Sequence, residues 1–173
     1  NELAAILSRH NIAVGILDGT YDYWCRDYMP VLISDDGKYA RFRFDPDYLR
    51  EYKTYVKCIV PQEEVCADLK FDRHVDLDIT FDGGNYVRCG DKVVMTDKIF
   101  MENPQWRATD LLAHLEEKLQ AEIVLLPWDM AEFCGHSDGM VAYLGDGQVL
   151  LNGCWENKDK KFHSRLVKIL KGR

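Results

Sequence analysis

Along most of the chain, apolar and polar residues alternate with a period of two, pause at a short turn, alternate again, and then switch to a helical period. This order occurs three times, each time introduced by an acidic turn. The first copy runs from Arg26-Asp27 through Pro30 to Ile33, the turn Asp36-Gly37, and Tyr39 to Phe44. The second runs from Asp82-Gly83-Gly84 through Asn85 to Cys89, then Gly90-Asp91, then Lys92 to Thr96. The third takes Gly135 to Asp138, Gly139 to Leu144, Gly145-Asp146-Gly147 and Gln148 to Asn152. Positive φ at a tight hairpin matches the twist of its strands, which accounts for a glycine in each second turn. The acidic markers Asp27, Asp82 and Asp138 stand 55 and 56 residues apart, the signature of a repeat architecture.

Between hairpins the spacing is helical. Leu111, Leu115 and Leu119 recur every four residues, and with Asn103 as N-cap and Pro104 in the first helical position they predict a helix over 105–119. Ile123 to Leu126 then reads as a buried strand, and Phe162, Leu166 and Leu170 repeat the helical spacing after the third hairpin. The unit is ββαβ. In the first unit Pro46 to Tyr55 is irregular and reads as an insertion, followed by a short helix around Gln62 to Leu69 and a strand from Val75 to Ile79. Leu3 to Ser8 and Ile12 to Leu17 predict a helix and strand ahead of it. The expected organisation is one partial domain over 1–173, with units at about 18–80, 81–126 and 127–173 after a helix-strand segment at 1–17. The third unit reaches Lys171-Gly172-Arg173 without the closing strand the pattern calls for, so further residues downstream, or a second copy covering the uncapped flank, are expected.

Composition narrows the class. A 173-residue chain with 47% hydrophobic residues and 29% charged ones is ordinary for one globular domain, and no apolar run approaches the ~20 residues of a membrane span. Asn1 to His10 lacks the basic-then-apolar pattern of a secretory leader. A net charge of −7 disfavours nucleic acid, whose phosphates need a cationic face, and suits a cationic ligand. The six cysteines form no Cys-x-x-Cys pair and mostly sit in apolar segments, which argues against zinc and disulfide frameworks and for buried thiols in the cytoplasm.

Equivalent turns of repeats packed around an axis meet at one end of it, which would gather Asp27, Asp82 and His136-Ser137-Asp138 around one pocket. Clustered carboxylates imply a bound cation or protonation. A guanidinium, planar and rich in donors, matches facing carboxylates, whereas magnesium and calcium sites draw more on carbonyls and water. The imidazole adds acid–base chemistry. Taken singly, Asp27 and Asp82 also suit the plain role of Asp before a turn, bonding its own backbone. Trp24 fits a core ring or a pocket wall.

Trp24-Cys25-Arg26-Asp27-Tyr28-Met29-Pro30, Asp82-Gly83-Gly84-Asn85 and Gly135-His136-Ser137-Asp138-Gly139, in this order and spacing, resemble the guanidine-modifying superfamily, nearest its agmatine deiminase and bacterial peptidylarginine deiminase branch. Thr96-Asp97-Lys98-Ile99-Phe100 and Asn103-Pro104 resemble the same branch, so the likeness spans nearly the whole chain. It implies an α/β pentein fold, an α/β-propeller of five ββαβ units of which about three are present, and hydrolysis of a guanidinium to a ureido group plus ammonia. It also implies roles: His136 as general acid–base, Asp82 as the acid that orients it, Asp27 and Asp138 as the carboxylates gripping the guanidinium, with Trp24 and Arg26 beside them in substrate binding. No metal and no cofactor are implied. The implied partner is a small guanidino compound or an arginyl peptide, with neither nucleic acid nor membrane.

The family's nucleophilic cysteine lies in a glycine-rich segment well beyond the histidine motif. Here only Cys154 follows His136, at a position the repeat assigns to packing, while an extended turn points Cys134 away from His136 and alternation places Cys25 similarly beside Asp27. Five units of about 55 residues come to about 275 residues. The expectation is therefore the N-terminal part of a deiminase-like hydrolase, inactive by itself, with a non-catalytic binder of guanidino ligands or a partner protein as the alternative. Substrate choice, and hydrolysis against amidino transfer, stay open.

Overall fold

Antiparallel hairpins followed by a parallel return strand build the structure, a computed structural model that describes residues 2–67, 69 and 71–172. Asn1 and Arg173, the ends read above, lie outside the described residues. Helix α1 (Glu2–Arg9) buries none of its residues. The strand expected over Ile12 to Leu17 does not form: Ile12, Val14 and Ile16 are exposed, and no ladder among the described residues includes them. Alternation supplies a strand's side chains but not the neighbouring backbone that satisfies its amides.

A one-turn helix α2 (Cys25–Tyr28) leads into strands β1 (Val31–Ser34) and β2 (Lys38–Arg43), which pair antiparallel with Val31 opposite Ala40. The connection then carries α3 (Asp47–Arg50), a 3-10 turn (Val56–Cys58) and α4 (Gln62–Val65) before β3 (His74–Thr80) returns parallel to β2. The predicted helix around Gln62 to Leu69 is thus only its first turn, and Asp68 within it lies outside the described residues.

The second unit opens on a 3-10 turn (Gly83–Asn85) rather than on a strand at Asn85. Strand β4 (Val87–Cys89) pairs antiparallel with β5 (Lys92–Thr96), and after α5 (Lys98–Glu102) and α6 (Ala108–Leu119), β6 (Glu122–Leu126) returns parallel to β5. Then come the hairpin β7 (Val141–Gly145) and β8 (Gln148–Leu151), α7 (Cys154–Lys158) and α8 (Lys160–Lys171), whose Asp159 cap accepts from the amides of Lys161 and Phe162 at 3.1 and 3.0 Å.

In α6 the four-residue leucine spacing buries Leu111, Leu115 and Leu119 completely, each contributing about 1.5–3 kcal/mol. The helix starts later than expected because Asn103 does not cap it. Asn103 is itself fully buried, with its side chain accepting from the Thr80 amide at 2.9 Å and donating to the carbonyls of Thr80 at 2.7 Å and Ile99 at 3.0 Å. A capping residue must face an open helix start; this one locks the end of β3 to α5 and so fixes the chain entering Asp82.

One core runs beneath the first two sheets and α6, and a second joins β4–β6 to the third hairpin, Trp155 and Leu166. Polar ties then draw the acidic turns to one end: Ser137 Oγ donates to Val94 O at 3.1 Å, Thr96 Oγ1 to Gly135 O at 2.6 Å, and the Asp138 amide to Gly84 O at 3.1 Å.

Candidate active site

Asp82 arrives at the end of β3, where its Oδ1 accepts the Gly84 amide at 2.9 Å and closes the 3-10 turn. That is the local turn role expected of an Asp before Gly. Its second oxygen looks elsewhere. Oδ2 accepts the Tyr48 hydroxyl at 2.6 Å and lies 2.9 Å from His136 Nε2, with the carboxylate almost wholly buried. The Nε2 approach is close but off the ideal hydrogen-bonding direction, so the imidazole meets Asp82 chiefly through charge, in full when the ring is protonated.

Two glycines permit this packing. A Cβ on Gly83 would stand 2.0 Å from the Arg26 carbonyl oxygen, and one on Gly84 would stand 2.3 Å from His136 Nδ1. Both positions admit no side chain, which is why the acidic turn reads Asp-Gly-Gly.

Asp27, on α2, completes the gathering: one atom from each of Asp27, Asp82 and His136 lies within 4.8 Å of those of the other two, a cation-sized group of two carboxylates and an imidazole. Burial first, and then Asp82, push the Asp27 carboxyl up to about 7, against the pull of His136. Burial works against the imidazolium of His136, but Asp82, then Asp27 and Asp138, outweigh it and raise its proton affinity.

Asp138 sits at the rim with its Oδ2 2.6 Å from Arg26 Nε, and Arg26 Nη2 donates to Tyr86 O at 2.7 Å. Arg26 thus bridges all three acidic turns from outside, and it presents to Asp138 the same guanidinium group that a ligand would. Trp24 is no core residue: at 59% exposed, with its ring 5.1 Å from that of Tyr23, it forms a wall of the cleft. Asp27, Asp138, His136, Trp24 and Arg26 all line one cleft of about 1000 Å³, while Asp82 lies beneath it.

Sequence patterning missed three participants. Tyr48 and Asp47 fall in the irregular Pro46 to Tyr55 stretch, which reads as an insertion yet delivers Tyr48 to Asp82. Lys98 is fully buried, and its Nζ donates to Asp47 Oδ1 at 2.7 Å and to the carbonyls of Phe133 and Cys134 at 3.2 and 3.1 Å. The thiols also need correction. Only Cys58 and Cys66 are buried, Cys25 and Cys154 are exposed, and Cys134 lines the cleft instead of turning from it. Cys134 is no ready nucleophile, because burial and then the Glu132 carboxylate push its thiol well above the usual range.

Repeated ββαβ units that bring carboxylates and a histidine together at one end define a member of the guanidine-modifying superfamily with an α/β pentein fold. Residues 4–171 match the family model described as Porphyromonas-type peptidyl-arginine deiminase, and the chain belongs to that family. Among solved structures, a protein provisionally named an agmatine deiminase is similar at 17% identity with a TM-score of 0.75, covering 99% of this chain and 51% of its own. A protein of Porphyromonas gingivalis provisionally named an arginine deiminase is similar at 14% identity and TM-score 0.68, covering 95% and 55% respectively. The C. jejuni agmatine deiminase gives 18% identity and TM-score 0.65, covering 86% and 48%. The chain thus spans about half the length of these relatives. No curated protein matches it. No helix among the described residues is long and apolar enough to cross a membrane.

Proposed function

We propose that this chain carries the guanidinium-gripping and acid–base part of a deiminase-type hydrolase acting on agmatine or on arginyl side chains. The observation that supports it most is the convergence of Asp27, Asp82 and His136 within 4.8 Å inside a cleft that Asp138 borders. In this reading Asp27 and Asp138 hold the guanidinium nitrogens, with Arg26 steadying Asp138 and Trp24 walling the substrate chain. A thiolate adds to the guanidinium carbon, and His136, oriented by Asp82, protonates the departing amine, which leaves as ammonia. His136 then takes a proton from water, whose oxygen adds to the same carbon, and the thiolate departs to leave the ureido product. No metal or cofactor enters this scheme.

The thiolate is not Cys134, whose thiol is held protonated, and we place it outside these residues, in keeping with relatives about twice as long. By itself the chain is then a binding unit without turnover. The repeat units are assigned to 18–80, 81–126 and 127–173, and the exposed Leu144 and Leu150 of the third hairpin form the flank through which self-association would occur. The free thiols favour a reducing compartment, the cytoplasm.

Calorimetry with agmatine, on this chain and on the Asp27→Ala, Asp138→Ala double variant, tests the grip. Saturable heat from the first and none from the second supports it, and equal heats remove it. Ammonia release by a protein that continues this chain to family length tests the chemistry. The second reading, a non-catalytic binder, is favoured by the protonated Cys134 and gains if that longer protein binds agmatine without releasing ammonia.

A further inference from the structure

The acid–base pair has a third member. Tyr48 Oη and His136 Nε2 both address a single atom, Asp82 Oδ2, at 2.6 and 2.9 Å. The carboxylate's other oxygen is engaged by the Gly84 amide, so within this site the phenol and the imidazole compete for the remaining one. Tyr48 holds its place through its neighbour in sequence. Asp47 Oδ1 accepts from the buried Lys98 ammonium at 2.7 Å, and the same ammonium lies 5.0 Å from the centre of the Tyr48 ring. Lys98 also donates to the Phe133 and Cys134 carbonyls, and a Cβ on Gly135 would meet its Cδ at 2.4 Å. One buried ammonium therefore sets both the segment bearing Tyr48 and the segment that leads into His136.

We propose that Tyr48, clamped by Asp47 and Lys98, is a positioning residue that fixes Asp82 Oδ2 and withholds part of that oxygen's charge from His136. A hydrogen-bonded carboxylate oxygen attracts a neighbouring imidazolium less than a free one. The phenol lowers the proton affinity that His136 would otherwise reach and leaves its proton transferable, the property a general acid needs near neutral pH. The groups facing His136 are Asp82 from the second acidic turn, Asp27 from α2, Tyr48 from α3, and Cys134 and Asp138 from its own segment, the last already paired with Arg26. Of these only Tyr48 is a neutral donor to the Asp82 oxygen, since burial and Asp82 push its phenol far above its ordinary range. The catalytic consequence rests on the deiminase reading; the competition for one oxygen does not.

The test is an NMR titration of the His136 ring in this chain, with the resonance assigned through His136→Gln, for the native protein, Tyr48→Phe and Asp47→Asn. Tyr48→Phe keeps the ring and removes only the donor. Its expected result is an imidazolium-to-imidazole ratio about fivefold higher at a given pH, about 0.7 pH unit, as for the loss of one ordinary hydrogen bond. Asp47→Asn should shift the ratio in the same direction by less. A His136 midpoint unchanged in Tyr48→Phe, with amide spectra showing the fold intact, overturns the proposal, because a tyrosine that merely packs would lower Tm without moving it. Agmatine calorimetry on the same samples separates the readings: loss of binding in all of them counts against the deiminase reading while the titration still judges Tyr48.

Discussion

The Gly84 backbone lies flush against the His136 imidazole, close enough that a Cβ would stand 2.3, 2.5 and 2.6 Å from three of its ring atoms. No backbone dihedral demands glycine there; the ring does. Gly84→Ala must therefore displace the imidazole from Asp82 or open the 3-10 turn, at a cost of about 1–3 kcal/mol as for other overpacked sites. The expected outcome is a folded protein of lower Tm whose His136 titrates closer to the ordinary imidazole range. Urea unfolding and the His136 titration check it, and an unchanged midpoint would mean that the ring moves with the turn.

Asp27 carries a pH dependence of definite sign. Its carboxyl is raised from 3.8 to about 7 by burial and by Asp82, so the folded state binds a proton that the unfolded state has released between those values. Stability contributed by this group falls as pH rises from about 4 to about 7. Asp27→Asn removes the liability, and after discounting for partial exposure we expect about 1–2 kcal/mol of added stability at pH 8, or about 3–6 °C in Tm. The same variant should lose agmatine binding, and in the native chain that binding should strengthen as pH is raised through about 7, where Asp27 becomes anionic. Thermal scans and calorimetry at pH 5, 6, 7 and 8 decide both.

Lys98 and Glu102 form a buried pair, 3.4 Å apart and one helical turn from each other on α5. Burial first raises the Glu102 carboxyl, to about 7, with Lys98 pulling against it. Lys98→Met would strand Glu102 and loosen Asp47 together with the carbonyls of 133 and 134, a loss of about 3–5 kcal/mol by the usual cost of breaking a buried pair. Adding Glu102→Gln should recover part of it. A double-mutant cycle by urea denaturation measures the recovery, and strict additivity would show that the two groups do not interact.

How much of this was legible in the sequence follows from which forces act locally. The 55-residue recurrence of Asp27, Asp82 and Asp138 and the glycine-bearing turns marked the repeats, because hairpin chemistry is written in adjacent residues. The spacing of Leu111, Leu115 and Leu119 marked α6 for the same reason. Asn103 misled: its side chain satisfies backbone groups at Thr80, 23 residues away, where pattern offered a helix cap. The strand over Ile12 to Leu17 failed because pairing is a property of two segments. Tyr48 was invisible, and Lys98, though it stands in the Thr96-to-Phe100 motif, showed no role, because polar residues in an irregular stretch or on a short helix show no period, and their partners lie 34 and 51 residues away in sequence.

The thiols sort into three environments, which gives a prediction independent of any ligand. Cys25 and Cys154 are exposed, Cys58 and Cys66 are buried with thiols raised by burial, and Cys89 and Cys134 are intermediate and likewise raised. Reaction with a thiol reagent needs both access and thiolate, so two equivalents should react fast and the other four slowly at pH 7. Cys134 adds a diagnostic within the slow class, because it lines the cleft beside His136. Agmatine bound there should slow Cys134 further, and Cys58, which lines the same cleft, with it, while leaving Cys66 and Cys89, which do not line it, at their own rates. Peptide mapping after timed alkylation, with and without agmatine, resolves the six sites. Fast labelling of Cys134 would contradict the protonated thiol and return it to consideration as a nucleophile.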